Sequence, residues 1–84
     1  MGELQKIPGV GKAMEQDLLD LGYATIASLR GADPEQMYER RCEQQGVQLD
    51  RCVLYVYRCV VYYASTPPEQ HQPELLKWWN WKDK

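Results

Sequence analysis

Residues 7–12 read Ile7-Pro8-Gly9-Val10-Gly11-Lys12, and they fix the interpretation of the sequence around them. Proline removes a backbone donor and glycine permits positive φ, so a helix must stop here and the chain must turn tightly. An apolar pair just before the turn predicts a short first helix. After the turn, Met14, Leu18 and Leu21 recur at i, i+4 and i+7, which predicts a helix over residues 12–21. The segment is therefore a tight hairpin between two helices.

Capping signals and apolar spacing predict the helices that follow this hairpin. Gly22 is placed to end the second helix, and Thr25 can cap a short helix that Gly31 ends. Asp33-Pro34-Glu35-Gln36 supplies an N-cap, a proline at N1 and a glutamine at N3, so another helix starts there and continues to Gly46. With the two helices described below, the sequence predicts an all-α protein of five to six short helices.

The longest helix is predicted from Arg51 to about Ala64, with Asp50 as its N-cap. Its β-branched and aromatic content also suits a strand, but 13 or more residues without a turn signal favour a helix. Residues 65–73 are rich in proline and polar side chains, so we expect a loop, and residues 74–79 can form one more short helix. The apolar stripe of the long helix, which we expect to be buried, consists of Val53, Val56, Val60 and Ala64.

Length and composition indicate one domain, residues 1–84, because 84 residues with 44% hydrophobic content leave no room for a second core. We divide it into a tandem hairpin region (1–46), the central helix (50–64), a loop (65–73) and a tryptophan-rich C-terminal segment (74–84). No apolar run approaches the roughly 20 residues that span a bilayer. The first residues show no basic region followed by an apolar one. We therefore expect a cytoplasmic protein with no membrane partner.

The cysteines and the one histidine limit the chemistry that the chain can perform. Three cysteines without a Cys-x-x-Cys pair predict free thiols, and Cys52 and Cys59, seven residues apart on one helix face, should be small buried hydrophobic residues. Cys42 and His71 complete four potential zinc ligands, but their gaps lack the close pairing of structural zinc sites. No base or metal lies beside a nucleophile, so we predict no catalytic residue, metal, cofactor or small-molecule substrate.

The hairpin at residues 7–12 has the properties of an anion site. Small residues let the backbone approach a ligand, and the N–H groups that open the helix after the turn point at an anion favoured by the helix dipole. Lysine adds a charge-assisted contact, whereas valine should point inward and hold the two helices apart. The alternative is an ordinary tight turn that needs glycine only for its φ angles. The predicted phosphate-binding residues are Gly9, Val10, Gly11, Lys12 and Ala13.

Residues 4–40 resemble the helix-hairpin-helix modules of DNA repair and recombination proteins. The likeness rests on Ile-Pro-Gly-Val-Gly-Lys, Asp-Leu-x-x-Leu-Gly and Ser-Leu-Arg-Gly-Ala-Asp-Pro-Glu. Over nearly its whole length the chain is similar to the bacterial pathogenicity-locus family, often labelled mitomycin resistance proteins, through residues 38–42, 50–59 and 75–82. This resemblance implies a tandem helix-hairpin-helix, a SAM-like helical bundle, and DNA binding. The second copy is degenerate, because Gln44-Gln45-Gly46-Val47 has only one glycine.

Charge limits how strongly such a module can hold DNA. The net charge is −2, with −1 over residues 1–31, −3 over residues 32–50 and +2 over residues 51–84. Since affinity for DNA comes largely from neutralised phosphates, we expect weak, non-sequence-specific, salt-sensitive binding, linked to tolerance of DNA damage such as that caused by mitomycin. The alternative is a protein-interaction module without DNA binding of its own, which offers Tyr55, Tyr62, Tyr63 or the tryptophan tail to a protein partner or a second copy.

Two further regions supply candidate secondary contacts to DNA. On the central helix arginines alternate with tyrosines along one stripe, although these arginines could instead pair with Asp50, Glu39 or Glu43 and cover the core. In the C-terminal segment, tryptophans among lysines could stack on bases, or Leu75 and a tryptophan four residues later could pack on the core. Trp81 is the tryptophan that we expect to be exposed. The candidate secondary contacts are Arg51, Arg58, Lys77, Trp81 and Lys82.

Overall fold

Three α-helices frame the protein: α1 (Lys12–Asp20), α2 (Pro34–Gln45) and α3 (Arg51–Ser65). The computed structural model describes residues 3–7 and 9–82, and every regular element within them is helical, which confirms the all-α class. The short segments between glycines and prolines do not reach α-helical length. They form 3₁₀-helices instead, because three or four residues cannot sustain i→i+4 bonding. These 3₁₀-helices are Glu3–Lys6, Ala27–Leu29, Pro68–Gln70, Pro73–Leu76 and Trp78–Trp81.

The described residues therefore contain three α-helices and five 3₁₀-helices in place of the five to six short helices predicted. The single helix expected over residues 74–79 is absent, since the chain becomes extended at Lys77 and divides that segment into two 3₁₀-helices. The expected loop at residues 65–73 contains one turn of 3₁₀-helix. In each case the error concerns short segments whose boundaries are set by tertiary contacts.

The boundaries of α2 and α3 confirm the capping analysis. The Asp33 carboxylate accepts a hydrogen bond from the backbone N–H of Glu35 at 2.9 Å, which starts α2. Gly46, with φ of 71°, ends α2 in the left-handed conformation that glycine adopts without strain. The Asp50 carboxylate accepts from the backbone N–H of Cys52 at 2.9 Å and starts α3 one residue later. Local side-chain chemistry is sufficient to fix these ends.

The core forms where α2 packs along α3 and the C-terminal 3₁₀-helices cover another side of α3. The predicted stripe of α3 lies in this core, with Val56, Val60 and Ala64 buried and Val53 half-buried. Tyr57 is the largest fully buried side chain of the core. Residues that precede α3 complete the core: Leu4, Ile7, Val10, Leu18, Leu21, Leu29, Met37 and Tyr38.

Arg41 fastens α1 to α2. Its guanidinium lies 2.8 Å from a carboxylate oxygen of Asp17 and 3.1 Å from one of Asp20, and its side chain is only 11% exposed. The neighbouring Arg40 donates to the backbone oxygen of Leu21 at 3.0 Å. Because these bonds hold the C-terminal half of α1, they fix the direction in which its N-terminus, and with it the hairpin, points.

The three cysteines are free thiols, as predicted, but their environments differ. Cys59 is buried, and burial raises the pKa of its thiol to about 11. Cys52 is exposed, so the expectation that both lie in the core is wrong, since the first turn of α3 extends past the packed layer. The described residues include no group of three or more His, Cys, Asp or Glu side chains that could hold a metal ion. None of the described helices combines the length and apolar character needed to cross a membrane.

Tyr57 and Tyr38 provide a matched pair for a stability prediction. The Tyr57 hydroxyl is buried and has no hydrogen-bond partner among the described residues, and burial raises its pKa. The Tyr38 hydroxyl donates to the backbone oxygen of Leu49. Tyr57→Phe should leave the free energy of unfolding unchanged or raise it by up to about 1 kcal/mol, whereas Tyr38→Phe should lower it by about 1 kcal/mol. Urea denaturation measures both; a destabilised Tyr57→Phe variant would show that the hydroxyl is satisfied.

Candidate nucleic-acid interface

The predicted hairpin forms a tight turn closed by one backbone bond. The N–H of Val10 donates to the backbone oxygen of Ile7 at 3.1 Å, and Gly9, at the third position of this turn, has φ of 86°. Side chains with a Cβ rarely adopt that conformation, so the fold itself requires glycine here. Pro8 of the predicted motif lies outside the described residues.

The second hairpin glycine has no such conformational role. Gly11 has φ of −99° and ψ of −168°, an extended conformation that any residue adopts. A Cβ built on it would meet nothing within 4 Å. Neither backbone strain nor packing among the described residues therefore accounts for glycine at this position. Its effect is to leave open space at the start of α1.

Gly11 also makes the start of α1 different from the starts of the other two α-helices. It is the N-cap of α1 and has no side chain to accept from the opening amides, whereas Asp33 and Asp50 cap α2 and α3 with carboxylates. The first amides of a helix lack acceptors within it and carry the positive end of the dipole. The backbone N–H groups of Lys12 and Ala13 open α1, and both residues are exposed.

Two of the remaining hairpin side chains, those of Val10 and Lys12, lie as the sequence predicted. Val10 is only 7% exposed and packs in the core, so it points inward as predicted. Lys12 is exposed in the first turn of α1. Glu15, in the same turn, brings a negative charge close to the site, and its carboxylate accepts from the Gln5 side-chain amide at 2.8 Å. That bond joins the two sides of the hairpin.

Trp78 brings the C-terminal segment against the hairpin. A Cβ built on Gly9 would lie 3.4 Å from Cδ1 of the Trp78 ring, so the indole lies beside the turn and a side chain at position 9 would touch it. Trp78 is half-buried against the core and makes an edge-to-face contact with Trp79, with ring centroids 5.7 Å apart. The spacing of residues in the sequence did not predict that Trp78 lies beside Gly9, because these two residues are far apart along the chain.

Two of the candidate secondary contacts are occupied within the protein. The Arg58 guanidinium donates to the backbone oxygen of Trp81 at 3.0 Å and pairs with Glu35 at 3.3 Å. This arginine therefore pairs with a carboxylate of the protein, which is the alternative to DNA contact given above. The partner is Glu35 and not Asp50, Glu39 or Glu43. Trp81 is half-buried, and its indole N–H donates to the backbone oxygen of Leu75 at 2.8 Å. The prediction that Trp81 is the exposed tryptophan is therefore wrong.

The exposed tryptophan is Trp79, at 52%. Its predicted packing with Leu75 assumed one continuous helix, which the break at Lys77 removes. Lys77 and Lys82 are exposed, and neither forms an ion pair with another residue that the structure describes. Arg51 is exposed too, but it lines a groove with Glu35, Glu39 and Glu43, whose charges oppose a phosphate.

The connection between α2 and α3, predicted from the sequence as a degenerate second hairpin, differs from the first hairpin in two ways. Val47 is 61% exposed, whereas Val10 is buried. The start of α3 already holds an anion of the protein itself, because the Asp50 carboxylate accepts from the Cys52 N–H. Of the two connections, the first therefore has both an inward-pointing valine and a helix start without a side-chain cap.

The Asp50 cap gives the protein a pH-dependent contribution to stability. The hydrogen bond from the Cys52 backbone N–H lowers the pKa of the Asp50 carboxyl below its ordinary 3.8. A lowered folded-state pKa means that the contribution is complete above pH 3.8 and is lost as the pH falls through the folded-state pKa. Asp50→Asn should therefore be less stable than wild type at neutral pH, and the difference should shrink in acid. Denaturation midpoints between neutral and strongly acidic pH measure it; a constant difference would contradict it.

Comparison with known proteins places the chain in a family. The family model described as "Pathogenicity locus" matches residues 1–84. The chain belongs to the pathogenicity-locus family. It is also 29% identical over 79 residues to the "Mitomycin resistance protein McrB" of Streptomyces lavendulae, covering 94% of this chain and 70% of that protein. No solved structure matches the chain.

Proposed function

We propose that this member of the pathogenicity-locus family binds the phosphate backbone of DNA without reading its sequence, through the hairpin at Gly9 to Ala13. A phosphate oxygen accepts hydrogen bonds from the amides that open α1, and Lys12 adds a charge-assisted contact. The positive end of the helix dipole favours the same ligand. A backbone phosphate presents these oxygens at every nucleotide, so the site needs no particular base sequence.

Gly11 is the observation that carries the proposal. A glycine that needs no positive φ, and whose missing Cβ faces open space, is explained by the close approach of a ligand to the helix start. An ordinary tight turn accounts for Gly9 but leaves Gly11 without a role.

We assign the hairpin to the helix-hairpin-helix class, with the 3₁₀-helix Glu3–Lys6 and α1 as its two helical arms. In this interpretation α2 and α3 form the second, degenerate copy of a SAM-like bundle. That copy supports the fold through its packing but does not hold phosphate, because Asp50 takes the place of the ligand at the start of α3.

The charge of the chain sets the strength of the interaction. A single hairpin with Lys12 and the exposed Lys77 engages about two or three phosphates, which supports a dissociation constant in the millimolar-to-micromolar range. Raising the salt concentration from about 50 to about 200 mM should weaken binding roughly 10- to 40-fold. Self-association or a protein partner that adds a second site would raise the affinity.

An NMR titration of labelled protein with a short random-sequence duplex tests the proposal. Amide shifts should concentrate at Gly9, Gly11, Lys12 and Ala13 and should shrink when salt is added. The amide of Cys52, which Asp50 caps, serves as the internal control and should stay in place. A titration without shifts, or with equal shifts at the starts of α1 and α3, would reject the hairpin as the site.

We extend the proposal to tolerance of DNA damage, on the basis of the mitomycin resistance named in the Streptomyces relative. A host that lacks this gene should become more sensitive to mitomycin, and the wild-type gene should restore resistance. A variant that is stable but does not bind DNA should fail to restore it. Full rescue by such a variant would separate resistance from DNA binding.

The groove between α2 and α3 favours a second candidate function, in which the domain binds a protein. Glu35, Glu39 and Glu43 line it, and Val47, exposed at 61%, lies in the same groove. An acidic wall repels DNA and attracts a basic partner that covers the valine. The tyrosines named as partner contacts in the sequence analysis are less available, because Tyr55, Tyr62 and Tyr63 are half-buried.

A further inference from the structure

We infer that the DNA recognised by this domain carries unpaired bases beside the phosphate held by the hairpin, and that Trp79 stacks on one of them. The inference rests on the proposed DNA binding and narrows its substrate from any duplex to a duplex that adjoins a single-stranded stretch. It starts from an exposed tryptophan whose position neither the core nor the proposed phosphate contact explains.

Position is the first reason. Among the described large hydrophobic residues, the exposed ones are Leu19, Val47 and Trp79. Leu19 lies at the far end of α1, and Val47 lies in the acidic groove. Trp79 alone of the three is linked to the hairpin through Trp78, whose ring it meets edge to face and which lies beside Gly9. We place a base stacked on Trp79 within a few nucleotides of a phosphate held at the hairpin.

Rigidity is the second reason. The turn that presents Trp79 is fastened on both sides by side-chain hydrogen bonds to backbone oxygens. Asn80 donates to Glu74 at 2.8 Å, Trp81 donates to Leu75 at 2.8 Å, and Arg58 donates to Trp81 at 3.0 Å. Because the turn on both sides of Trp79 is held in this way, stacking of a ligand on the ring costs little backbone conformational entropy.

The surroundings of the ring are the third reason. Trp79 lines a shallow cleft of about 490 Å³ together with Leu75, Glu74, Lys77 and Asn80. Three of these four neighbours are polar, so the ring is not part of a continuous apolar patch of the kind that anchors proteins. An aromatic face beside an amide suits a base, and Lys77 is balanced in the same cleft by Glu74, so the gain from an overhang comes from stacking.

Inside duplex DNA the bases stack on one another, so Trp79 cannot reach their faces except at the outer side of a terminal pair. Unpaired nucleotides at an overhang or gap expose those faces without any cost of unpairing. Stacking of one base on an aromatic side chain is sequence-tolerant, which agrees with a domain that does not read sequence. The preferred ligand is therefore defined by its structure rather than by its base order.

Three DNA probes test the inference: a short blunt duplex, the same duplex with thymidine overhangs, and the same duplex with abasic overhangs. The two overhang probes carry equal numbers of phosphates and differ only in the bases. Wild-type protein should bind the thymidine probe about five- to tenfold more tightly than the abasic probe. It should bind the abasic and blunt probes with nearly equal affinity.

Variants at position 79 test whether the Trp79 ring causes the tighter binding of the thymidine probe. Trp79→Ala should lose the preference for the thymidine probe while keeping blunt-duplex binding and the wild-type unfolding midpoint, and Trp79→Phe should keep most of the preference. Equal binding of the thymidine and abasic probes by wild type would overturn the inference and leave the proposed function intact. Absence of binding to every probe would overturn both, and equal loss on all probes by Trp79→Ala would assign the ring to duplex contact instead.

Discussion

The Gly11→Asp variant is expected to be more stable than the wild-type protein and to bind DNA at least tenfold more weakly. Gly11 is already in the extended conformation of an N-cap, and a Cβ there meets nothing within 4 Å, so aspartate fits without strain. Its carboxylate can then accept from the opening amides of α1, as Asp33 does in α2. A better cap should add a few tenths to about 1 kcal/mol to the free energy of unfolding.

The same substitution removes the site. The new carboxylate occupies the amides that a phosphate would use and repels the phosphate charge. Gln36→Glu is the matched control, because it adds one negative charge at the start of α2, on an exposed residue that is not part of the hairpin. Urea denaturation and salt-dependent fluorescence anisotropy with a duplex measure the two effects. Unchanged binding by Gly11→Asp would mean that phosphate is held elsewhere, and equal loss in Gln36→Glu would mean that net charge alone governs binding.

Leu18→Ala should lower the free energy of unfolding by about 3 kcal/mol. Leu18 is fully buried beneath α1, and truncation leaves a cavity that the surrounding helices can fill only in part. For a domain of this size that loss is a large fraction of the total stability. Because the proposed anion site lies at the start of α1, DNA binding should fail at the temperatures where the variant unfolds, and not below them.

The adjacent Leu19 is the control for this prediction, since it has the same side chain on the same helix but is 43% exposed. Leu19→Ala should cost less than about 1 kcal/mol. Thermal and urea denaturation of the two variants, measured side by side, isolates burial from residue type and helix propensity. Similar losses at both positions would contradict burial as the cause of the Leu18 effect, because alanine is the better helix former at both positions.

The ends of α2 and α3 could be predicted from the sequence because short-range chemistry determines them. Asp33 followed by proline, Gly46 in the left-handed conformation and Asp50 before an apolar run each act within a few residues of where they stand. The tight turn at the first hairpin is predictable for the same reason. The inward position of Val10 also follows from the alternation of small and apolar residues there.

The arrangement of the C-terminal segment could not be predicted in this way. Whether Trp79 or Trp81 is exposed depends on which of them finds partners on α3 and on the neighbouring turn, and spacing alone treats the two alike. The partner of Arg58 is Glu35, 23 residues earlier, instead of Asp50, Glu39 or Glu43, which are closer to it in the sequence. Long-range contacts of this kind decide the surface of a small helical domain.

The position of Trp78 beside Gly9 also has a consequence for synthesis on the ribosome. Translation delivers Gly9 long before Trp78, because most of the described sequence lies between them. The turn therefore gains its tryptophan neighbour only after residue 78 has left the ribosome. A chain terminated before that residue would contain the glycine motif without the indole beside it.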